Sequence, residues 1–466
     1  MSYENFLNFI DNTLILHDCS KIKKFHLSYD YHNKEDPQFT DKIRFATSKY
    51  VEDLYLSSNM QVRRLPEFLF NNSSLIKLRT ESCNFRHNIG NVNWGNLKSL
   101  SISHCAYHLS DQALEHILSG SPLLELLELT NCYGFRKFVI ASKSLKRLVI
   151  HQLQMVRVSV FEISCAKLED LSLKGIVMRI PELFVQAIEN VVSGSLLLES
   201  FELIFCDKII EQLVIASKSL KRLVFKDIFG VFDIEISCPK LENLKFLGRL
   251  NVRTAKLTNL PSLLCAIIDF DHGAELKTRK SLIKEILQQL HHVKELGIGS
   301  WFIENLSAIK VQGLLSSMLN IKCLTLNPPD LNKHHSGIAC LLRNSPGLEK
   351  LVVDMTFYDQ IAYLQHSHDL RKLNDSRKKF WHSNTTVFDC LISNLKTIKI
   401  IDFPNQDDNR KLVMELVQFL LNNARVLEKM IVVLNDHRTY FPWNVSQELL
   451  SFPRYSPYAI IELLYS

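Results

Sequence analysis

The stretch Leu75-Ile-Lys-Leu78-Arg-Thr80-Glu-Ser-Cys83 sets two leucines three residues apart and a cysteine eight residues after the first, and this spacing returns down the chain. The full nine-residue form recurs at Leu97-Leu100-Ile102-Cys105, Leu124-Leu127-Leu129-Cys132 and Leu198-Phe201-Leu203-Cys206. Without the cysteine, three apolar anchors recur at Ile22-Phe25-Leu27, Val51-Leu54-Leu56, Leu145-Leu148-Ile150, Leu168-Leu171-Leu173, Leu220-Leu223-Phe225 and Leu241-Leu244-Phe246. They continue at Val293-Leu296-Ile298, Ile321-Leu324-Leu326, Leu348-Leu351-Val353, Leu395-Ile398-Ile400 and Leu427-Met430-Val432. Most first anchors lie between 21 residues apart (Leu124 to Leu145) and 32 apart (Leu395 to Leu427), the length of one strand plus a return segment. The gap between Phe246 and Val293 predicts a degenerate unit at Leu263-Ala266-Ile268.

Such a pattern is the leucine-rich-repeat signature, and its physics is a short strand with alternate residues pointing inward. One unit cannot bury its own anchors, so each repeat covers its neighbour's apolar face. The expected fold class is α/β: a curved solenoid with a parallel sheet on the concave face and helices or irregular segments on the convex face. About fifteen strands spaced about 4.8 Å apart give an inner edge of roughly 70 Å, long enough to hold a folded partner.

A longer period lies over the first. Ala141-Ser-Lys-Ser-Leu-Lys-Arg-Leu-Val149 returns unchanged from Ala216 to Val224. Ser119-Gly-Ser-Pro-Leu-Leu-Glu125 is echoed by Ser193-Gly-Ser-Leu-Leu-Leu-Glu199, and Ile163-Ser-Cys-Ala-Lys-Leu-Glu169 by Ile236-Ser-Cys-Pro-Lys-Leu-Glu242. A block of about three repeats was duplicated, which a solenoid tolerates because each unit meets only its neighbours.

With 466 residues, 46% hydrophobic and 22% charged, the chain has the composition of a globular protein. Its start lacks a basic region with a small-residue cleavage site, and no stretch approaches the roughly 20 apolar residues that span a bilayer. An intracellular protein, cytoplasmic or nuclear, is expected, with no membrane partner. A net charge of +6 is mild at this length, and the strand faces offer no aromatic ladder, so nucleic acid is not an expected partner.

No catalytic constellation is present: no Gly-rich phosphate loop, H-E-x-x-H or G-x-S-x-G occurs. His17-Asp18-Cys19 holds thiol-hydrolase residue types, yet sequence neighbours point in different directions. His291-His292, His334-His335 and His366-Ser-His368 lack a partner set at metal-ligand spacing and read as surface-loop histidines. The expectation is a protein that is not an enzyme and has no catalytic residue, metal or cofactor. Eleven cysteines are an odd number, and those at the ninth repeat position are expected to be reduced and structural, bonding the turning backbone. A basic run, Arg371-Lys372 and Arg377-Lys378-Lys379 before Phe380-Trp381, reads as a solvated loop; a phosphate-bearing ligand or acidic partner is the alternative.

Motifs along nearly the whole chain resemble those of the plant F-box/LRR proteins that carry a C-terminal FBD domain. The resemblance rests on Leu16-His-Asp-Cys-Ser-Lys-Ile-Lys-Lys-Phe25, Leu65-Pro-Glu-Phe-Leu-Phe70, Asn93-Trp-Gly-Asn-Leu-Lys-Ser-Leu100, and Cys390-Leu-Ile-Ser-Asn-Leu-Lys-Thr-Ile398 with Asn423-Ala-Arg-Val-Leu-Glu-Lys-Met430. It implies a substrate receptor of an SCF-type (cullin–RING) ubiquitin ligase, in which an F-box docks on the adaptor and the repeats hold the target. The F-box itself is missing from the sequence, since Leu65-Pro66 falls inside the first repeats. An adaptor is therefore expected as a partner only if an F-box is restored. A stand-alone binder and a sensor of a phosphate-bearing small molecule are the alternatives.

The expected organisation is an amphipathic helix or cap at 1–20, repeats over 21–353, an insertion or linker at 354–389, and an FBD-like α/β extension over 390–466 that continues the solenoid. Side chains between the anchors face the concave surface, which nominates Lys77, Arg79, Glu81, Glu128, Arg147, His151, Asp170, Lys174, Glu202, Arg222, Lys226 and Lys245 for a target protein. Arg147, Lys174, Arg222, Lys226 and Lys245 give that set a basic tilt.

Overall fold

A computed structural model describes residues 21–29, 37–58, 63–85, 89–105, 109–155, 157–206, 211–271, 276–308, 319–328, 331–356, 380–383, 387–404, 407–434 and 443–465. The chain divides into two compact units, Met1–Lys221 with Ile228–Gly230, and Arg222–Asp227 with Val231–Ser466.

In the first unit the strands β1 (Lys24–Tyr29), β2 (Asp53–Ser58), β3 (Lys77–Glu81), β4 (Ser99–Ser103), β5 (Leu126–Thr130), β6 (Arg147–Met155), β7 (Asp170–Met178) and β8 (Ser200–Cys206) follow the repeat anchors. Each is parallel to the next and in register anchor on anchor: Leu54 lies opposite Leu78, Leu78 opposite Leu100, Leu100 opposite Leu127 and Leu127 opposite Leu148. Leu100, Ile102, Leu127 and Leu129 expose no surface, while the residues between them stay open on the other face. Burying each such side chain stabilises by about 1.5–3 kcal/mol.

Return segments cover the anchors. Helices α1 (Pro37–Ser48), α2 (Asp111–Ser119) and α3 (Pro181–Gly194) serve the first unit. Helix α2 starts where Ser110 accepts from the Ala113 amide and buries Ala113, Leu114, Ile117 and Leu118 on one stripe. Asp111 in its first turn also accepts from the Lys137 amide at 2.9 Å, tying the helix to the next repeat. Where no helix returns, strands Lys137–Ser142 and Val160–Cys165 pair in parallel, and Phe138 and Phe161 stack with ring centres 5.4 Å apart.

The second unit contains β9 (Arg222–Ser237), in which the division between the units falls, then β10 (Asn243–Thr258), β11 (Cys265–Asp271), β12 (Glu295–Gly299), β13 (Cys323–Asn327), β14 (Lys350–Asp354), β15 (Thr397–Ile401), β16 (Lys429–Leu434) and β17 (Ile460–Tyr465). Strands β10 to β17 form one parallel ladder. The degenerate unit expected near Leu263 is β11, with Ala266 and Ile268 fully buried. Its helices are α4 (Leu276–Gln289), α5 (Ser300–Ala308), α6 (His335–Arg343), α7 (Phe380–Ser383), α8 (Asp389–Ser393), α9 (Asp407–Asn423) and α10 (Trp443–Ser451).

The reading of His334 and His335 as surface-loop residues is corrected: each is only 3% exposed. The His334 ring lies 3.0 Å from Ser300 Oγ, and His335 Nδ1 accepts from Trp381 Nε1 at 2.6 Å. Sequence polarity misleads here because an imidazole inside the core can bond a hydroxyl or indole instead of water. His291 is exposed as expected, whereas His292 bonds the Leu260 carbonyl at 2.8 Å. Residues 1–20, with the expected cap helix, His17 and Cys19, lie outside the described residues, as do His366, His368, the basic run at 371–379 and most of the expected linker.

One turn recurs after the strands. The eighth repeat position has a left-handed backbone at Ser82, His104, Asn131, Gln152, Phe205, Asp227 and Asp402, with φ from 51° to 57°, and at Gly175 and Gly248. In that conformation the amide reaches the next strand: Ser82 donates to Ser103 O, His104 to Thr130 O and Asn131 to His151 O. The ninth-position thiols then fold under the turn, with Cys83, Cys132 and Cys206 donating to the carbonyls of Glu81, Thr130 and Ile204 at 3.4–3.6 Å.

The duplicated Ala-Ser-Lys-Ser-Leu-Lys-Arg segment is a clamp between repeats. Ser144 and Ser219 donate to the first-anchor carbonyls of the preceding repeats, Leu124 and Leu198, each at 2.9 Å. Ser142 and Ser217 accept from the amides that enter the strand. Lys146 meets Glu125 at 3.2 Å and Lys221 meets Glu199 at 2.8 Å, pairs whose exposure makes each worth little but which favour one register.

Gly175 (φ +66°) faces the backbone of Gln152 so closely that an added Cβ would sit 3.2 Å from it. Gly175→Ala is expected to cost about 1–2 kcal/mol, and Gln152→Gly to leave stability unchanged or raise it by up to about 1 kcal/mol. Denaturant unfolding of both variants checks this; equal losses would contradict a shared left-handed turn.

Candidate functional site

Strand phase alone decides which side chains of the first unit stand on the open sheet face. Register aligns His26, Tyr55, Arg79, Ser101 and Glu128 across β1 to β5, and Val149, Ser172 and Glu202 across β6 to β8. Two residues further along the strands a second row runs through Ser57, Glu81, Ser103, Thr130, His151 and Lys174.

Arg79 and Glu81 belong to a cross-strand cluster. Glu81 accepts from Tyr55 Oη at 2.7 Å and from Ser57 Oγ at 3.2 Å, and His104 Nδ1 lies 3.6 Å from its other oxygen. The Arg79 guanidinium sits 5.4 Å from the centre of the Tyr55 ring and 3.6 Å from Asp53 Oδ1, while His26 packs on the far strand with ring centres 4.3 Å apart. A hydroxyl, a carboxylate, a guanidinium and two imidazoles are thus held by each other, so little side-chain freedom is left to lose when a partner arrives. The hydrogen bond to Glu81, followed by burial, raises the Tyr55 phenol above its ordinary ionisation range.

A second group forms at the other end of the same face. Lys174 Nζ lies 3.3 Å from Glu202 Oε2, which also accepts from Ser172 Oγ at 3.1 Å. His151 sits opposite both Thr130 and Lys174, Arg147 opposite Leu126 and Asp170, and Glu128 opposite Ser101 and Val149. Structure therefore gathers Arg79 with Glu81, and Lys174 with Glu202, sets Arg147 between Leu126 and Asp170, and leaves Glu128 between the small Ser101 and the apolar Val149. On this face Lys24, Lys77, Arg79, Arg147 and Lys174 are matched by Asp53, Glu81, Glu128, Asp170 and Glu202, so the first unit carries no basic excess there. In the second unit Arg222 and Lys226 stand on β9, and Lys245 stands on β10 opposite Ile267.

His26, Asp53, Ser57 and His104 were not among the residues nominated from sequence. His26, Asp53 and Ser57 follow the same strand phase and were legible; His104 was not, because only the left-handed turn brings it back over Glu81. Among the described residues, no group of three or more His, Cys, Asp or Glu side chains could hold a metal ion. Burial pushes the Cys165 and Cys340 thiols up to about 11 and Cys390 up to about 12, which favours their protonated form. No described helix is long and apolar enough to cross a membrane.

A raised folded-state pKa means that the Tyr55 contact is fully present below the phenol's unfolded pKa and is lost as pH rises through the folded value. Glu81→Gln is expected to shift the ionisation of Tyr55 to lower pH. Ultraviolet difference titration against Tyr55→Phe measures it, and an unchanged midpoint would remove Glu81 from the cluster.

Residues 40–181 match the family described as FBD-associated F-box protein At5g56370, LRR repeats, and residues 383–432 match the FBD family. The F-box/LRR-repeat protein At5g02910 of Arabidopsis thaliana is 28% identical over 442 residues, covering 92% of this chain and 78% of that protein. The putative F-box/LRR-repeat protein At3g18150 from the same plant is 28% identical over 441 residues, covering 93% and 76%. F-box/LRR-repeat protein 25 of Arabidopsis thaliana reaches 37% identity over 141 residues, 29% of this chain and 52% of that one. With the repeat region, the FBD match and relatives along nearly its full length, the chain belongs to the FBD-associated F-box/LRR protein family.

Proposed function

We propose that this protein is a non-catalytic recognition scaffold that acts as the target-holding part of an SCF-type (cullin–RING) ubiquitin ligase. The target is a protein seated on the open sheet face of the first unit. The observation that carries this reading is the Tyr55-Arg79-Glu81 cluster, where an aromatic ring and a guanidinium stand preorganised on a rigid sheet. Tyrosine and arginine are the residue types on which binding energy concentrates in protein interfaces. The likeness to F-box/LRR proteins along nearly the whole chain supports a role that is not enzymatic. Such a receptor would work in the cytoplasm or nucleus, and its adaptor contact requires an F-box.

The nominated residues take graded roles in this reading. Arg79 and Glu81 form the anchor of the face, with Glu128, Arg147, His151 and Lys174 extending it along the sheet. Arg222, Lys226 and Lys245 are the polar candidates that the same strand phase nominates on the second unit, taken by itself.

Affinity capture from plant extract with the proteasome inhibited tests both levels. A target protein is expected to co-purify with the chain, and the cullin adaptor with it only when an F-box is fused to the chain. The double variant Tyr55→Ala/Arg79→Ala is expected to lose the target by about tenfold or more while, in the fused chain, keeping the adaptor. Undiminished target capture by that variant would refute the binding face. Capture of a target by the fused chain without any adaptor would favour the stand-alone binder instead.

A further inference from the structure

Two of the ninth-position thiols meet each other as well as the backbone. Ser103 at the end of β4 lies opposite Thr130 at the end of β5, and two residues further on Cys105 and Cys132 stand in neighbouring repeats with their Sγ atoms 3.0 Å apart. Neither exposes any surface. Cys132 also approaches the carbonyls of Thr130 at 3.4 Å and Ile102 at 3.6 Å, whereas Cys165 and Cys390 donate to the carbonyls of Ile140 and Leu342.

Adjacent strands run about 4.8 Å apart, inside the span of roughly 4.4–6.8 Å between the Cα atoms of a disulfide. The two cysteines arrive by the same turn, after His104 at φ 54° and Asn131 at φ 53°, so both side chains are carried to the buried side. An S–S bond of about 2.05 Å therefore asks for about 1 Å of approach and no change of register. The hydrogen bond with Cys132, followed by burial, raises the Cys105 thiol well above its ordinary range. In the closed turn this thiol stays protonated, and reaction waits on a local opening that admits a small oxidant.

We propose that Cys105 and Cys132 are a redox-sensitive clip, two thiols that hydrogen peroxide joins into a disulfide between neighbouring repeats. When the turn opens, one thiolate attacks the peroxide O–O bond and becomes a sulfenic acid, and the hydroxide released takes up the thiol's proton as water. The second sulfur then attacks the sulfenic sulfur, forming the S–S bond and expelling hydroxide, which leaves as water with the second thiol's proton. Both sulfurs are oxidised, the peroxide is reduced to two waters, and a thiol reductant reverses the bond. In a reducing compartment the pair stays open until oxidant rises. The clip closes beside His104, which lies 3.6 Å from Glu81, so on the recognition reading above it stiffens the turn that completes that cluster; the crosslink itself does not depend on that reading.

Peptide mapping of the full chain after graded hydrogen peroxide tests the clip, with the remaining free thiols blocked by N-ethylmaleimide in denaturant. At a dose that oxidises the half-exposed Cys265 and Cys323, a disulfide joining the Cys105 and Cys132 peptides is expected, and dithiothreitol is expected to remove it. The crosslinked chain is expected to melt about 5 °C higher, because the bond ties together two points 27 positions apart in the unfolded chain. Cys105→Ser is expected to lose both the crosslink and the peroxide-dependent rise in midpoint. Alkylation of both thiols at that dose, sulfinic acid in place of the bond, or a crosslinked chain with an unchanged midpoint would overturn the proposal. The map of the unsubstituted chain decides by itself, whether or not the serine variant folds well.

Discussion

Mutual burial between neighbouring repeats is the interaction on which everything else in this protein rests. No single strand here could keep its leucines from water, because each presents only five to nine residues in most repeats and has one inward face. Stacked anchor on anchor, as in Leu78, Leu100, Leu127 and Leu148, they lose all exposure. That arrangement also dictates where function can lie. The inward face is spent on stability, so recognition falls to the residues between the anchors.

Stacking apolar strips is tolerant of register, and the chain fixes register by polar means. The left-handed eighth position aims an amide at the next strand, and the ninth-position thiol closes beneath it. The serine clamp at Ser142 and Ser144, repeated at Ser217 and Ser219, ties the entry of one strand to the carbonyl of the one before. Duplication copied this clamp intact because its partners lie in the adjoining repeat and travel with it. Glu125 and Glu199 lie in the echoed segments Ser119–Glu125 and Ser193–Glu199, so the two lysine clamps found equivalent carboxylates.

The two ladders spend their open faces differently. In the first unit the face is polar and balanced, with Tyr55, Arg79 and Glu81 locked together. In the second unit it is more apolar: Ile267, Val352 and Ile431 stand where the first unit carries Arg79 or Glu128, and β12 has glycine at 297 and 299. A Cβ at Gly297 would meet Ile267 at 3.2 Å, so the neighbouring side chain leans across the space glycine leaves. Placing polar recognition on one unit and apolar surface on the other lets a single repeat architecture carry two kinds of contact.

Spacing of leucines along the chain was enough to determine the repeat architecture, the strand positions, the degenerate unit at Ala266 and Ile268, and which residues face outward. Period-two alternation is a local property, and it survives whatever the neighbours are. Tertiary structure alone decided how those outward residues combine. Glu81 meets Tyr55 from the preceding repeat and His104 from the following turn, and Trp381 reaches His335 across 46 positions of sequence. Such encounters depend on register between separate strands and on the left-handed residue that follows many of them. Neither is encoded in the spacing of anchors within a single repeat, because both arise only when the repeats are laid side by side.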